Sequence, residues 1–250
     1  MKRKLLTAGL AAGFHLLSAP AQAQTEIFIG PQVGFTRASA GVNYSVLSNY
    51  DGPPSDPIYT AHAGAMMRLD FGGNLSLQPS LLFVRKGYRV KTLEAQYDSR
   101  NGARYTSDRR FGINFLELPV NLVFSPDYSP ELQIFAGPYL AIPLGGTVTH
   151  SQTFYDSQTN DITTEEQGSQ QLSKGSATPT HPFGSGMAST DMGLQAGFGF
   201  LLGRLQLQLS ASAGFSPIIQ RHGAALNTTA DPELGLRTVQ LSGAYLFKLK

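Results

Sequence analysis

LQLQLSASAGF, residues 205–215, alternates without exception: Leu205, Leu207, Leu209, Ala211, Ala213 and Phe215 form one row, and Gln206, Gln208, Ser210, Ser212 and Gly214 form the other, which Arg204 extends. Successive side chains of a β-strand point to opposite faces, so this stretch has one apolar face and one wet face. Its neighbours repeat the pattern. Downstream, Val239, Leu241, Gly243, Tyr245, Phe247 and Leu249 oppose Thr238, Gln240, Ser242, Ala244 and Lys248, with Leu246 the one lapse. Upstream, Met192, Leu194, Ala196, Phe198, Phe200 and Leu202 oppose Asp191, Gly193, Gln195, Gly197 and Gly199. Further up, Leu132, Ile134, Ala136, Leu140, Ile142 and Leu144 oppose Glu131, Gln133, Gly137 and Tyr139.

Weaker alternation marks residues 27–38, 58–71, 75–91 and 110–124 as further strands. In the second of these Tyr59, Ala61, Ala63, Ala65, Met67, Leu69 and Phe71 share a side opposite His62, Gly64, Arg68 and Asp70. In the last, parity switches near Phe115, after which Leu116, Leu118, Val120, Leu122 and Phe124 oppose Glu117, Pro119 and Asn121. A β-bulge would account for such a switch.

The connections decide between barrel and sandwich. Gly72-Gly73-Asn74, residues 125–130 and Gly203 are short links, whereas 39–57, 92–109, 148–187 and 218–235 are long and polar. Short and long alternate strictly, as in an antiparallel up-and-down transmembrane β-barrel with an even strand number, tight periplasmic turns and long outside loops. A Greek-key sandwich has no reason to gather every long loop at one end. The expectation is an all-β, eight-stranded barrel. On it, Phe71, Phe124, Phe200 and Phe247 end four outward rows at one depth, where an aromatic girdle meets the headgroups.

The start of the chain reads as an export signal. Lys2, Arg3 and Lys4 precede a mostly apolar run from Leu5 to Leu17, and Ala21-Gln22-Ala23 fits the small-x-small rule, with cleavage after Ala23. The run is shorter than the roughly 20 apolar residues a membrane helix needs. The domains are thus a signal peptide at 1–23 and a barrel at 24–250, with a mobile outside loop at about 148–187 that is too polar to fold alone. Losing the three basic residues takes the formal charge from +2 to −1, and no basic cluster points to nucleic acid. There is no cysteine, which excludes disulfides, thiolate metal sites and thiol nucleophiles.

Chemistry has few footholds. The inward polar row includes His62, Arg68, Asp70, Glu117, Asn121, Asp191 and Arg204. Eight strands enclose a space that side chains just fill, so these groups read as structural pairs holding the wall together. A proton or ion path is the functional alternative. Catalysis would draw on His150 with Ser151 and Asp156, or on His181 and His222, but a triad is a matter of geometry rather than membership. The histidines are isolated, and Asp51, Asp56, Glu165 and Glu166 lack the glycine-punctuated spacing of a calcium loop. Glycines from Gly193 to Gly203 lack the Lys-Ser/Thr of a phosphate loop and read as space-makers inside the barrel. No catalytic, cofactor-binding or metal residue is assigned, and no cofactor is expected.

Four stretches carry a family resemblance: Gly34 with residues 40–45 (AGVNYS), residues 75–83 (LSLQPSLLF), residues 115–120 (FLELPV) and residues 136–140 (AGPYL). They resemble the Bacteroidetes outer-membrane β-barrel proteins known as porin-family or PorT-like, OmpA-like eight-stranded barrels, over essentially the whole mature chain. The resemblance implies a Gram-negative outer-membrane location and little about activity. The function expected is a structural or interaction barrel presenting long outside loops to other envelope or secretion proteins, its constant partner being outer-membrane lipid. A narrow porin for small solutes and a lipid-modifying enzyme are the alternatives.

Overall fold

A computed structural model describes residues 25–42, 55–97, 104–156, 159, 161–172, 186–187, 190–216, 219–220 and 234–249. The signal segment 1–23, Asp51, His181 and His222 lie outside the described residues. The elements are β1 (Glu26–Val42), β2 (Ser55–Asp70), β3 (Leu75–Tyr97), β4 (Arg104–Phe124), β5 (Leu132–Tyr155), β6 (Ile162–Leu172), β7 (Gly186–Met187), β8 (Asp191–Leu202), β9 (Leu205–Gly214), β10 (Ile219–Gln220), β11 (Leu234–Tyr245) and β12 (Phe247–Lys248).

Each strand pairs antiparallel with the next around a closed ring of eight, β1-β2-β3-β4-β5-β8-β9-β11, with β12 continuing β11. Closure joins the two ends of the chain: Gln32 to Val42 pair with Ala244 to Leu234, and Phe28 pairs with Lys248. Closing the sheet removes the open edges that hydrocarbon cannot tolerate. The tight turns need left-handed backbone at Gly72 (φ 83°), Gly73 (φ 66°) and Gly203 (φ 64°), where a Cβ would be strained.

Alternation becomes orientation. Phe35, Leu81, Phe83, Leu122, Ile134, Leu194, Phe198, Leu207 and Leu241 are exposed outward, while Gln78, Gln133, Gln206 and Gln240 on the opposite parity are buried. The interior glycines stand beside large inward side chains. A Cβ at Gly193 would lie 2.7 Å from the Tyr139 ring, and one at Gly197 would lie 2.6 Å from the Phe135 ring.

Three expectations need correction. Parity does not switch on β4: Ile113 and Phe115 are buried on the same side as Glu117. The irregularity is on the partner strand, where Asn114 pairs with Gly145 and Phe115 with Pro143, leaving Leu144 as the extra residue beside Gly145 (φ 142°). Leu246 is not a lapse either, since it is 2% exposed and packs inward with Met66 and Ala244. Both misreadings equate inward with polar, whereas this barrel has apolar interior layers.

The third correction concerns the loops. Much of 92–109 and 148–187 is strand: β3 and β4 pair out to Tyr97 and Arg104, and β5 continues to Tyr155, where β6 pairs back along it from Ile162 to Leu172. Thr147, Thr149, Ser151 and Thr153 alternate with Val148, His150, Gln152 and Phe154. These types favour extended backbone, yet neither row is apolar throughout, so no hydrophobic period betrays them.

Candidate functional site

Two places gather polar groups, the barrel interior and the loop-end extension. The interior is layered. Nearest the tight turns, the apolar residues Met66, Ala244 and Leu246 pack with Phe28 and Leu201. Beside this layer Arg68 Nε donates to Asp70 Oδ1 at 2.7 Å, and its guanidinium lies 5.9 Å from the Phe28 ring.

Amides come next. Gln206 Nε2 donates to Gln78 Oε1 (3.1 Å) and Gln133 Oε1 (2.6 Å), Gln208 Nε2 donates to Gln78 Oε1 (3.0 Å), and Gln195 Nε2 donates to Asn121 Oδ1 (2.7 Å). These bonds tie β3, β4, β5, β8 and β9 across the lumen. Among the described residues Gln78 Nε2, Gln133 Nε2 and Gln206 Oε1 have no hydrogen-bond partner, so the network satisfies these buried amides only in part.

Charge sits in the middle. Lys86, 0% exposed, forms an ion pair with Glu117 and lies 4.0 Å from Asp191 Oδ2. Tyr139 OH donates to Asp191 Oδ2 at 3.2 Å, and its ring centroid is 4.4 Å from Lys86 Nζ. His62 is held at both ring nitrogens, Nδ1 to Thr36 Oγ1 and Nε2 to Ser242 Oγ, each at 2.9 Å. A second apolar cluster, Val84, Ile113, Phe115, Tyr139, Ala141, Leu172 and Leu236, wraps this centre and closes it toward the loops. Leu172 comes from β6, so the outer hairpin contributes a side chain to the plug.

Of the residues expected inside, His62, Glu117, Asn121 and Asp191 are buried together in this lumen. Arg68 and Asp70 are half-buried at the tight-turn end. Arg204 is a correction: it stands in the turn after Gly203 and is exposed, because the strand ends at Leu202 and the polar row turns out into water. Phe71, Phe124, Phe200 and Phe247 all face outward at the tight-turn end, 40–48% exposed. Lys86 was missed. It belongs to the inward row Ser76, Gln78, Ser80, Leu82, Val84, Lys86 and Tyr88, but LLFV at 81–84 is apolar on both faces and hides that row.

Beyond the barrel wall, an open cavity of about 1040 Å³ is lined by Tyr59, Arg89, Asp108, Arg110 and His150, among others. Arg89 Nε donates to Asp108 Oδ1 (2.7 Å) and Oδ2 (3.0 Å), and Nη2 also donates to Oδ2. The hydrogen bond from Arg89, aided by its charge, holds the Asp108 carboxyl below its usual range against partial burial. His150 and Ser151 are consecutive on β5 and so point to opposite faces. The Asp156 carboxylate accepts the Thr159 backbone N–H at 3.1 Å in the hairpin turn. These three do not form a triad. Among the described residues no three His, Cys, Asp or Glu side chains are grouped to hold a metal.

Residues 21–220 match the family described as outer membrane protein beta-barrel domain. No curated protein matches the chain. Among solved structures it is similar to Ail, the attachment invasion locus protein of Yersinia pestis, crystallised with the heparin analogue sucrose octasulfate (12% identity over 89% of this chain and 99% of that one, TM-score 0.38). It is also similar to Neisserial surface protein A (8% identity, 88% and 97%, TM-score 0.37) and to CarO of Acinetobacter baumannii (10% identity, 86% and 97%, TM-score 0.34).

Proposed function

The chain belongs to the family of outer membrane protein β-barrel domains, and from that premise we propose that it is a closed, non-conducting, non-enzymatic barrel whose work is done by its loop-end surface. The observation that carries this reading is the sealed lumen. Lys86, Glu117 and Asp191 are each no more than 1% exposed, between an apolar layer around Met66 and Leu246 and another around Phe115, Leu172 and Leu236. A porin needs a continuous wet path, and paired charges between two apolar layers do not provide one.

The finer placement is part of the same proposal. The chain is exported through the inner membrane with cleavage after Ala23, sits with its tight turns in the periplasm, and belongs to the PorT-like branch of Bacteroidetes-type barrels. Its extended β3–β4 and β5–β6 hairpins form a platform toward the outside for other envelope or secretion proteins. Exposed surfaces on a rigid scaffold are where binding concentrates.

The mature chain, folded into detergent micelles, is expected to migrate faster on a gel before boiling than after and to show a β-rich circular dichroism spectrum. In planar bilayers it is expected to give no steady conductance. Steady ohmic channels would restore the porin; a β-protein indifferent to detergent would overturn the membrane assignment.

A further inference from the structure

The outward face carries a different chemistry at each end. At the tight-turn end stand the four exposed phenylalanines, Phe71, Phe124, Phe200 and Phe247. Toward the loops, Arg37, Arg85 and Arg237 are exposed on the same outward parity. Ile29 pairs with Phe247 and Leu75 with Phe124, which fixes the lower level on β1 and β3. With about 3.4 Å per residue and a tilt of about 40°, Arg37, Arg85 and Arg237 lie about 21–26 Å above that level. An outer-membrane apolar band is about 25 Å tall, so the guanidiniums stand at its far edge. None of the three forms an ion pair among the described residues.

Arg37 also borders an open apolar groove of about 540 Å³ on the barrel wall, lined by Phe35, Tyr59, Ala61, Leu209, Val239 and Leu241. Ala61, Ala63 and Ala65 continue it downward as a trough of small side chains, flanked by Phe35 and Val33 on β1 and by Phe83 and Leu81 on β3. The trough is about 14 Å long at strand rise. Arg37 pairs with Val239 and Arg237 with Ser39, which makes the two arginines diagonal neighbours at the top of the groove, about 7 Å apart by sheet geometry. An apolar groove bordered by Arg37, with Arg237 diagonal to it and neither in an ion pair among the described residues, is complementary to an acyl chain with an anionic head. The planar fork of arginine matches phosphate oxygens two at a time.

We propose that this groove binds one lipid of the outer leaflet whose phosphate head is net anionic, with an acyl chain lying against Phe35, Ala61 and Leu241 and a phosphate held by Arg37 and Arg237. The inference rests on the reading of the chain as an outer-membrane barrel with its long hairpins outside. The test mixes the full barrel, already shown to be folded by heat-modifiable migration, with lipid A, phosphatidylcholine or inorganic phosphate in micelles, and counts retained molecules by native mass spectrometry. Retention of one lipid A and of no phosphatidylcholine is expected. Arg37→Gln with Arg237→Gln lowers that retention by at least about tenfold. Ala61→Leu, which fills the groove and keeps both charges, lowers it too, and Arg204→Gln at the opposite end leaves it unchanged.

Equal retention of phosphatidylcholine, or undiminished lipid A on the arginine variant, overturns the site and leaves the arginines as side chains that only reach for headgroup water. Displacement of lipid A by inorganic phosphate at equal concentration overturns the lipid as occupant. A folded wild-type barrel that retains nothing overturns this inference alone, whereas a chain without heat-modifiable migration overturns the membrane reading with it.

Discussion

Lys86 has no water to turn to: it is 0% exposed, and its neighbours are Glu117, Asp191 and the rings of Phe115 and Tyr139. Removing one member of such a group strands the others, which is far costlier than never having buried them. Lys86→Met is therefore expected to destabilise the barrel by about 3–5 kcal/mol, read as a lower urea midpoint for loss of the fast-migrating form. Adding Glu117→Leu to Lys86→Met should recover most of that loss, because the stranded carboxylate goes too. If the double variant is no more stable than the single one, the pair is not what links these strands.

At the scale of elements, the hairpins that rise out of the barrel are held by polar pairs rather than by a core. Arg89 on β3 and Asp108 on β4 are 40% and 31% exposed as side chains, so the pair contributes less than about 1 kcal/mol in water. Because Arg89 depresses the Asp108 carboxyl, that contribution is present above the ordinary carboxylate value near 4 and is lost as pH falls through the lowered one. Arg89→Gln should thus weaken amide-exchange protection across the outer ends of β3 and β4 at pH 6, and match the wild type once the pH has fallen below the lowered Asp108 value. A difference that persists at acid pH would mean that packing, not charge, holds the hairpin. These same extensions were illegible in the sequence. Strands β8, β9 and β11 announced themselves because lipid demands one apolar row, and that demand stops where the strands leave the bilayer. Inside, the polar side of the pattern located His62, Glu117, Asn121 and Asp191, but Phe115, Leu246 and Lys86 escaped. The first two are apolar residues facing inward, and the third lies in a stretch apolar on both faces.

Over the whole molecule, exposed aromatic rings stand at one end of the wall and exposed guanidiniums at the other. Phe71 just after β2, Phe124 on β4, Phe200 on β8 and Phe247 on β12 are 40–48% exposed at the tight-turn end. Replacing all four by alanine should destabilise the barrel in bilayers by about 2–4 kcal/mol, with each single change under about 1. Urea titration of the folded fraction in vesicles measures this, and an unchanged midpoint would place those rings away from the headgroups. The ring has one further property, which concerns time. Its last seam joins β1 to β11 and β12, with Phe28 opposite Lys248 and an ion pair from Lys248 Nζ to Glu26 Oε1 at 2.5 Å. Contacts so distant along the chain form late, because the long intervening segment must be ordered first. Until that seam forms, both terminal strands expose open edges that would pair with any other chain. Meeting of the first and last strands is therefore the step that ends the chain's exposure to aggregation, and whatever delays it lengthens that exposure.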